Sequence, residues 1–299
     1  MKIFTDNILF AEQYFPESKF ELPLGLSGQQ KLLAKDLLPD NIFYAEHNEH
    51  KLIDEVYITP YSKYSQYDLL TSLSEQNTLQ SNIVCIAGAG SNFHGYKNRK
   101  WAALARNLHV SIYLSPETPI ENFNTGFTII TALSIIDALD TIPELKGKAG
   151  IKWVNDIMIG KSKISGVLAR TRLQGMSVTD VIVGAGLNIA QKPDLSGDVF
   201  VKQATSIKDE TGKDYPEKML FDPFLEAFVE NCRLLLTGKY HILLEKYRNR
   251  SCLIGEKVKL LEDKEEPRLI AEGTVTGIGN DLELYIDGIP QNHGRVLWM

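Results

Sequence analysis

The chain has 299 residues, 43% hydrophobic and 23% charged, and a net charge of −6 from 32 Lys+Arg against 38 Asp+Glu. This suits a folded protein of one large domain or a main domain with a small satellite, and the acidic balance argues against a general nucleic-acid binder. No apolar run reaches the length of a membrane span, and Asp6 and Glu12 interrupt the apolar stretch a signal peptide needs. Cys85, Cys232 and Cys252 are odd in number and show no metal or disulfide spacing, so they read as buried apolar side chains in a reducing cytoplasm.

Residues 1–55 read as an irregular acidic extension, with five Lys and ten Asp+Glu over residues 1–60 and room for one short helix in "PLGLSGQQKLLAKDLL". The segment lacks the basic helix-turn-helix of a DNA-binding repressor arm. From there the pattern is orderly. "LIDEVYITPY" reads as a strand. "YDLLTSLSEQ" reads as a helix with Leu69, Leu70 and Leu73 on one face, and "NIVCIAGAG" as a buried strand. "NLHVSIYLSP" alternates as a strand, and "IENFNTGFTIITALSIIDALDTI" is a long apolar helix ending near Pro143. "GIKWVNDIMIG" and "KISGVLARTRL" form two strands of a hairpin around "GKSK", and "VTDVIVGAGLNIA" is a further buried strand. Residues 215–250 read as one or two helices, and short Gly-punctuated strands after residue 250 suggest a small β-barrel appended to an α+β sheet domain.

Three stretches carry chemistry. Between Gln76 and Pro116 there is no acidic residue, while Lys97, Arg99, Lys100, Arg106 and His94 stand among glycines 88, 90 and 95, with Trp101 beside them. Loop amides with Lys and Arg make a receptor for a phosphate or carboxylate, and an aromatic can cover a ligand ring. In "KWVND", strand alternation puts Lys152, Val154 and Asp156 on one face, within reach of Lys163 across the hairpin. A lysine held there can stabilise charge on a phosphoryl group, although the chemistry alone favours an exposed cross-strand ion pair. In "GAGLNIA", Gly184 and Gly186 allow close approach of a ligand, and Asn188 offers an amide to a purine edge. Neither a dinucleotide fingerprint nor a GxxxxGK[ST] phosphate loop is present.

Taken in order, "NRKW", "KWVND", "KISGVL" and "GAGLNIA" resemble the motifs of biotin protein ligases, in the biotin/lipoate ligase family, over roughly residues 56–299. The resemblance implies an α+β fold, with a mixed-sheet catalytic domain at 56–250 and an SH3-like β-barrel at 251–299. It implies an ATP-dependent biotin–[carboxylase] ligase. Biotin and MgATP would give biotinyl-5′-adenylate, and a lysine of a biotin carboxyl carrier domain would then attack it. Lys163, Asp156 and Arg99 would be catalytic. Ser65, Gly90, Gly95, Tyr96, Trp101, Lys163 and Gly166 would bind biotin. Lys97, Asn98, Arg99, Trp101, Asn155, Lys163 and Asn188 would bind ATP. Mg2+ accompanies the nucleotide, no protein metal ligand is assigned, and family analogy points to a homodimer. No nucleic-acid or membrane partner is expected.

Two positions depart from the pattern. Tyr96 stands where an arginine is usual, and Gly90 where a glutamine is usual. Loss of one phosphate donor costs on the order of 10²–10³ in rate unless replaced, and Lys97 or Arg99 is positioned in sequence to replace it. Two alternatives stay open: a lipoate or octanoate ligase of the same fold, and a non-catalytic binder of biotin or an acyl-adenylate.

Overall fold

The computed structural model describes residues 1–38, 41–47, 52–76, 79–195, 198, 200–264 and 266–299, apart from the side chain of Asn98. A nine-stranded mixed sheet runs through its main body. In chain order its strands are β1 (Lys2–Thr5), β2 (Phe43–Glu46), β3 (Glu55–Thr59), β4 (Ile83–Ala87), β5 (Leu108–Leu114), β6 (Ala149–Lys152), β7 (Asp156–Ile159), β8 (Ser162–Gln174) and β9 (Ser177–Leu187). The spatial order is β2-β1-β3-β4-β5-β9-β8-β7-β6. β3 runs parallel to β1 and β4, and the remaining neighbours are antiparallel.

Helices cover the sheet on both sides. Besides α1 (Ile8–Glu12) and α5 (Ile207–Thr211), the chain forms α2 (Gly28–Leu37), α3 (Gln66–Glu75), α4 (Phe123–Asp140), α6 (Lys218–Leu236) and α7 (Tyr240–Asn249). On α2, Leu33, Ala34 and Leu37 pack with Leu70 and Leu73 of α3 against Tyr57, Cys85, Tyr113 and Ile182 of the sheet. α4 is buried on most sides, as its Phe, Ile, Leu and Ala residues distributed around the helix dictate; it joins Phe221, Phe224 and Phe228 of α6 in the larger core. Because both faces are covered, all seven residues of β5 are buried rather than alternate ones. Ser27 and Gln30 close a capping box on α2, and the Ser65 hydroxyl caps α3 by accepting from the Asp68 amide.

The C-terminal strands β10 (Lys257–Leu261), β11 (Leu269–Ile278), β12 (Leu284–Ile286), β13 (Ile289–Gln291) and β14 (Arg295–Trp298) form a second, antiparallel sheet in the order β13-β12-β11-β10-β14. Directional bonds tie it to the main body: the Trp153 indole donates to the Leu282 carbonyl at 2.6 Å, and Arg248 Nε donates to the Ile278 carbonyl at 2.8 Å. Among the described residues no helix is long and apolar enough to cross a membrane.

Two expectations are corrected. The segment 1–55 is not irregular: β1 pairs with β3 and β2 pairs with β1, so it completes one edge of the large sheet. Four-residue strands are too short to show a period, and their identity comes from the β3 edge they satisfy. "KWVND" is not one strand. The chain turns at Trp153–Asn155, so that Lys152 pairs with Asp156 across β6 and β7. The Asn155 amide fixes that turn onto β8 by donating to the Val167 carbonyl at 2.7 Å, while the Val167 amide donates back to the Asn155 carbonyl at 3.1 Å.

Candidate active site

A cavity of about 710 Å³ opens on one face of the large sheet, toward the strand ends where β8 and β9 carry glycines. Gly166 of β8 lies opposite Gly186 of β9, and Gly184, Gly186 and Asn188 share the cavity face. These glycines are spatial requirements. A Cβ on Gly186 would stand 2.1 Å from Trp101 Cζ2, and one on Gly166 would stand 3.0 Å from Lys163 Nζ and 3.4 Å from Trp101 Cζ3. The indole of Trp101 therefore rests on the sheet as an inner wall of the cavity.

Lys163 Nζ lies 2.5 Å from Asp156 Oδ1 and 5.6 Å from the Trp101 ring centre. Burial alone would raise the Asp156 carboxyl. The Lys163 charge and hydrogen bond, with Lys152 and Arg295 behind them, outweigh burial and hold it below the usual carboxylate range. Both side chains are about one fifth exposed, 21% and 19%, and line the cavity, so this pair is not the exposed surface ion pair that chemistry alone favoured. Lys152 is 2% exposed, donates to the Phe200 carbonyl at 2.7 Å, and faces the Trp298 ring at 4.6 Å. Burial lowers its ammonium to about 8.

The basic loop forms another wall. Gly95, Tyr96, Lys97, Arg99, Lys100 and Trp101 line the cavity, and so does Ser65 at the head of α3. Arg99 and Lys97 both reach Asp263, from the connection between β10 and β11, at 3.0 and 3.1 Å. Gly90 is not among the lining residues. A Cβ there would meet the Ser62 carbonyl at 2.6 Å and the Phe93 ring, so Gly90 serves loop packing. The Asn98 side chain lies outside the described residues. Asn155 lines the cavity with its amide committed to the turn. Asn188 is buried, and its Nδ2 donates to the Thr205 carbonyl at 3.0 Å, while Oδ1 has no partner among the described residues. It therefore presents mainly an acceptor rather than the full amide pair expected for a purine edge.

Sequence reasoning missed Asp263, Arg295, Asp198 and His109. Asp263 is 164 residues from Arg99 in the chain, so no local pattern pointed to it. Arg295 bonds Asp198 at 3.2 Å and stacks 4.0 Å from the Phe200 ring centre. His109 had a local signal, since it sits inside an apolar strand. Its Nδ1 accepts from the Trp101 indole at 3.4 Å, which leaves Nε2–H to donate to the Leu104 carbonyl at 3.1 Å.

Burial lowers His109 to about 4 from its ordinary 6.5, against a smaller opposing effect of the Leu104 bond. The unfolded chain therefore binds a proton below pH 6.5 that the folded chain refuses until about pH 4. The stability tied to neutral His109 is complete above pH 6.5 and is lost as pH falls toward 4, by about 3 kcal/mol in total. Urea unfolding of the wild type against His109→Gln across this window checks the expectation, and the variant should show a clearly flatter pH dependence.

An enclosed lysine–carboxylate pair on a glycine floor, facing a loop of cations, defines a site for a small anionic ligand on a mixed α+β sheet. Residues 60–188 match the Biotin/lipoate A/B protein ligase family. The bifunctional ligase/repressor BirA of Bacillus subtilis is 25% identical over 179 residues, covering 58% of this chain and 54% of that protein. The chain thus spans about half the length of that relative. The biotin–[acetyl-CoA-carboxylase] ligase of Paracoccus denitrificans is 26% identical over 180 residues, covering 60% of this chain and 75% of that protein. In fold the chain is similar to the biotin protein ligase from Aquifex aeolicus in complex with biotin and ATP, with a TM-score of 0.62 and 24% identity over 81% of this chain and 97% of that one.

Proposed function

We propose that the chain is a biotin–protein ligase that activates biotin with ATP and transfers it to a lysine of a biotin carboxyl carrier domain. The observation that carries this reading is the Lys163–Asp156 pair at 2.5 Å, set on the Gly166–Gly186 floor and facing the cations of the basic loop. The family match and the ligases among the relatives support it.

In the first step a biotin carboxylate oxygen attacks the α-phosphorus of ATP. An O–P bond forms, the bond to the leaving pyrophosphate breaks, and biotinyl-5′-adenylate results. Lys163 neutralises the carboxylate as it approaches and then the charge on the α-phosphate oxygens, in a site shielded from bulk water. Asp156 holds Lys163 in place. Arg99 and Lys97 take the phosphates, Lys97 supplying the donor that Tyr96 does not. Trp101, Gly166, Gly95, Tyr96 and Ser65 enclose the acyl chain, and Asn188 Oδ1 accepts from the nucleoside. Holding both substrates in one cavity makes the step effectively intramolecular. In the second step the neutral carrier amine attacks the acyl carbonyl, the C–N bond forms, AMP leaves with the C–O electron pair, and the nitrogen gives up one proton to solvent. Mg2+ enters with the substrate as MgATP, held through the phosphates; among the described residues no group of three or more His, Cys, Asp or Glu stands together as a cage.

A lipoate or octanoate ligase is the second reading, favoured by Tyr96 and Gly90. Acyl transfer through a cysteine is disfavoured: Cys85 is fully buried, with its thiol pushed up by burial first and Glu55 second. We read the C-terminal strands as an SH3-like barrel closing over the nucleotide end, residues 1–55 as an edge of the catalytic sheet, the working assembly as a homodimer, and the compartment as the reducing cytoplasm. ATP–pyrophosphate exchange with biotin, lipoate or octanoate in turn tests the reading. Exchange with biotin alone is the expected result, and exchange with lipoate alone moves the assignment to the second reading. Binding of biotin with no exchange would make the chain a non-catalytic binder.

A further inference from the structure

The two cations read as phosphate donors already share an anion. The Asp263 carboxylate stands 3.1 Å from Lys97 Nζ, 3.0 Å from Arg99 Nη1 and 3.9 Å from Arg295 Nε. Its backbone carbonyl also accepts from Lys97 Nζ at 3.4 Å. The Asp263 side chain is 16% exposed and lines the cavity; it stands between two strands of the small sheet, whereas Lys97 and Arg99 stand in the loop between β4 and β5 of the large one. Among the described residues neither Lys97 nor Arg99 has another carboxylate within 4.0 Å.

We propose that Asp263 is an internal stand-in for phosphate, a positioning residue that holds Lys97 and Arg99 in the nucleotide-free enzyme and competes with the polyphosphate for them. This rests on reading Lys97 and Arg99 as the phosphate donors. Carboxylate and phosphate oxygens present the same acceptor geometry to guanidinium and ammonium groups, so one displaces the other. Asp263 touches the charged heads and leaves the loop backbone to other bonds. The Gly95 amide donates to the Arg99 carbonyl at 2.6 Å, the Trp101 amide donates to the Phe93 carbonyl at 2.9 Å, and the Trp101 indole sits on Gly186. Removing the carboxylate therefore frees the cations without releasing the loop. Lys97 is also held with a left-handed backbone, φ 55°, which fixes where its side chain starts. Binding of the nucleotide pulls the loop cations off the small sheet, and departure of pyrophosphate returns them. Asp263 thereby weakens affinity for the incoming nucleotide and speeds release of the inorganic product.

The test compares wild type with Asp263→Asn and Asp263→Glu in the full chain. In biotin-dependent exchange, Asp263→Asn should lower the KM for ATP about tenfold, equivalent to about 1.4 kcal/mol. Calorimetric binding of inorganic pyrophosphate, which has no adenine or acyl group, should tighten by a similar factor. Asp263→Glu should restore both constants, which a general loosening of the hairpin would not do. Unchanged or weakened pyrophosphate binding in Asp263→Asn overturns the proposal. A wild type that binds pyrophosphate but shows no exchange defeats the ligase reading instead, and the calorimetric comparison still decides the role of Asp263. If the Asn variant does not fold, Asp263→Ser takes its place in the same measurement.

Discussion

Lys163→Ala should lower biotin-dependent adenylate formation by about 10³-fold, at the upper end of what one preorganised electrostatic donor contributes. In the proposed mechanism Lys163 meets the carboxylate while it is an attacking anion and the α-phosphate while its charge is redistributing, so its loss should act on the transition state more than on the ground state. Turnover should therefore fall further than KM rises. Removing the ammonium also leaves Asp156 enclosed without its principal partner, where burial pushes the carboxyl up and only Lys152 and Arg295 remain to hold it down. Asp156→Asn keeps a hydrogen-bonding group of the same shape and removes the charge. It should cost less, about tenfold, because Lys163 stays near its place. Initial rates of exchange at saturating biotin and ATP check both variants. A Lys163→Ala rate within a few-fold of wild type would remove Lys163 from the chemistry.

Gly186→Ala should be nearly as damaging, although it adds one methyl group to a strand. The new Cβ would stand 2.1 Å from Trp101 Cζ2, 2.4 Å from Cε2 and 2.9 Å from Nε1. Gly186 cannot retreat, because it is paired to His109 of β5 on one side and to Gly166 of β8 on the other. The indole must leave instead, giving up its bond to His109 and its place beside Lys163. Overpacking of this kind costs about 1–3 kcal/mol of stability, and loss of the wall should raise the KM for biotin by about 10²-fold. Thermal unfolding and biotin kinetics separate the two effects. Adding Trp101→Ala to Gly186→Ala should recover most of the stability and none of the biotin affinity. If Gly186→Ala alone keeps wild-type kinetics, the indole has another resting place and the wall is not built as described.

Much of this arrangement was legible in the sequence, for physical reasons that differ by element. α4 was legible because its Phe, Ile, Leu and Ala residues fall on nearly every side of the helix, between single Thr, Ser and Asp residues, and such a helix has no place but a core. β9 was legible as a buried strand with glycines at close-approach positions, and β8 as the return strand of a hairpin with a glycine of its own. The basic loop stood out because an acid-free window is unusual in an acidic chain. β1 and β2 were not legible, since four residues show no period and pairing with β3 decides their conformation. The turn inside "KWVND" was hidden because an apolar run with alternating polar residues suits one strand as well as two short ones. Only bonds to β8 and to Leu282 choose the hairpin. Of the site, Lys163 and Asp156 could be brought together as neighbours on one face across a short turn, although the register sets Lys163 opposite Met158 and Asp156 opposite Gly166. Asp263 and Arg295 come from the other sheet, and long-range assembly alone brings them to Arg99 and Asp198.

The central claim is that this cavity joins biotin to the α-phosphate of ATP, with Lys163 carrying the charge. Incubating the purified chain with biotin and MgATP, then determining by mass spectrometry which small molecule stays bound, tests it most directly. The prediction is biotinyl-5′-adenylate bound to the wild type and at most a trace with Lys163→Ala. Intact biotin and ATP recovered from the wild type, with no mixed anhydride formed, would contradict it.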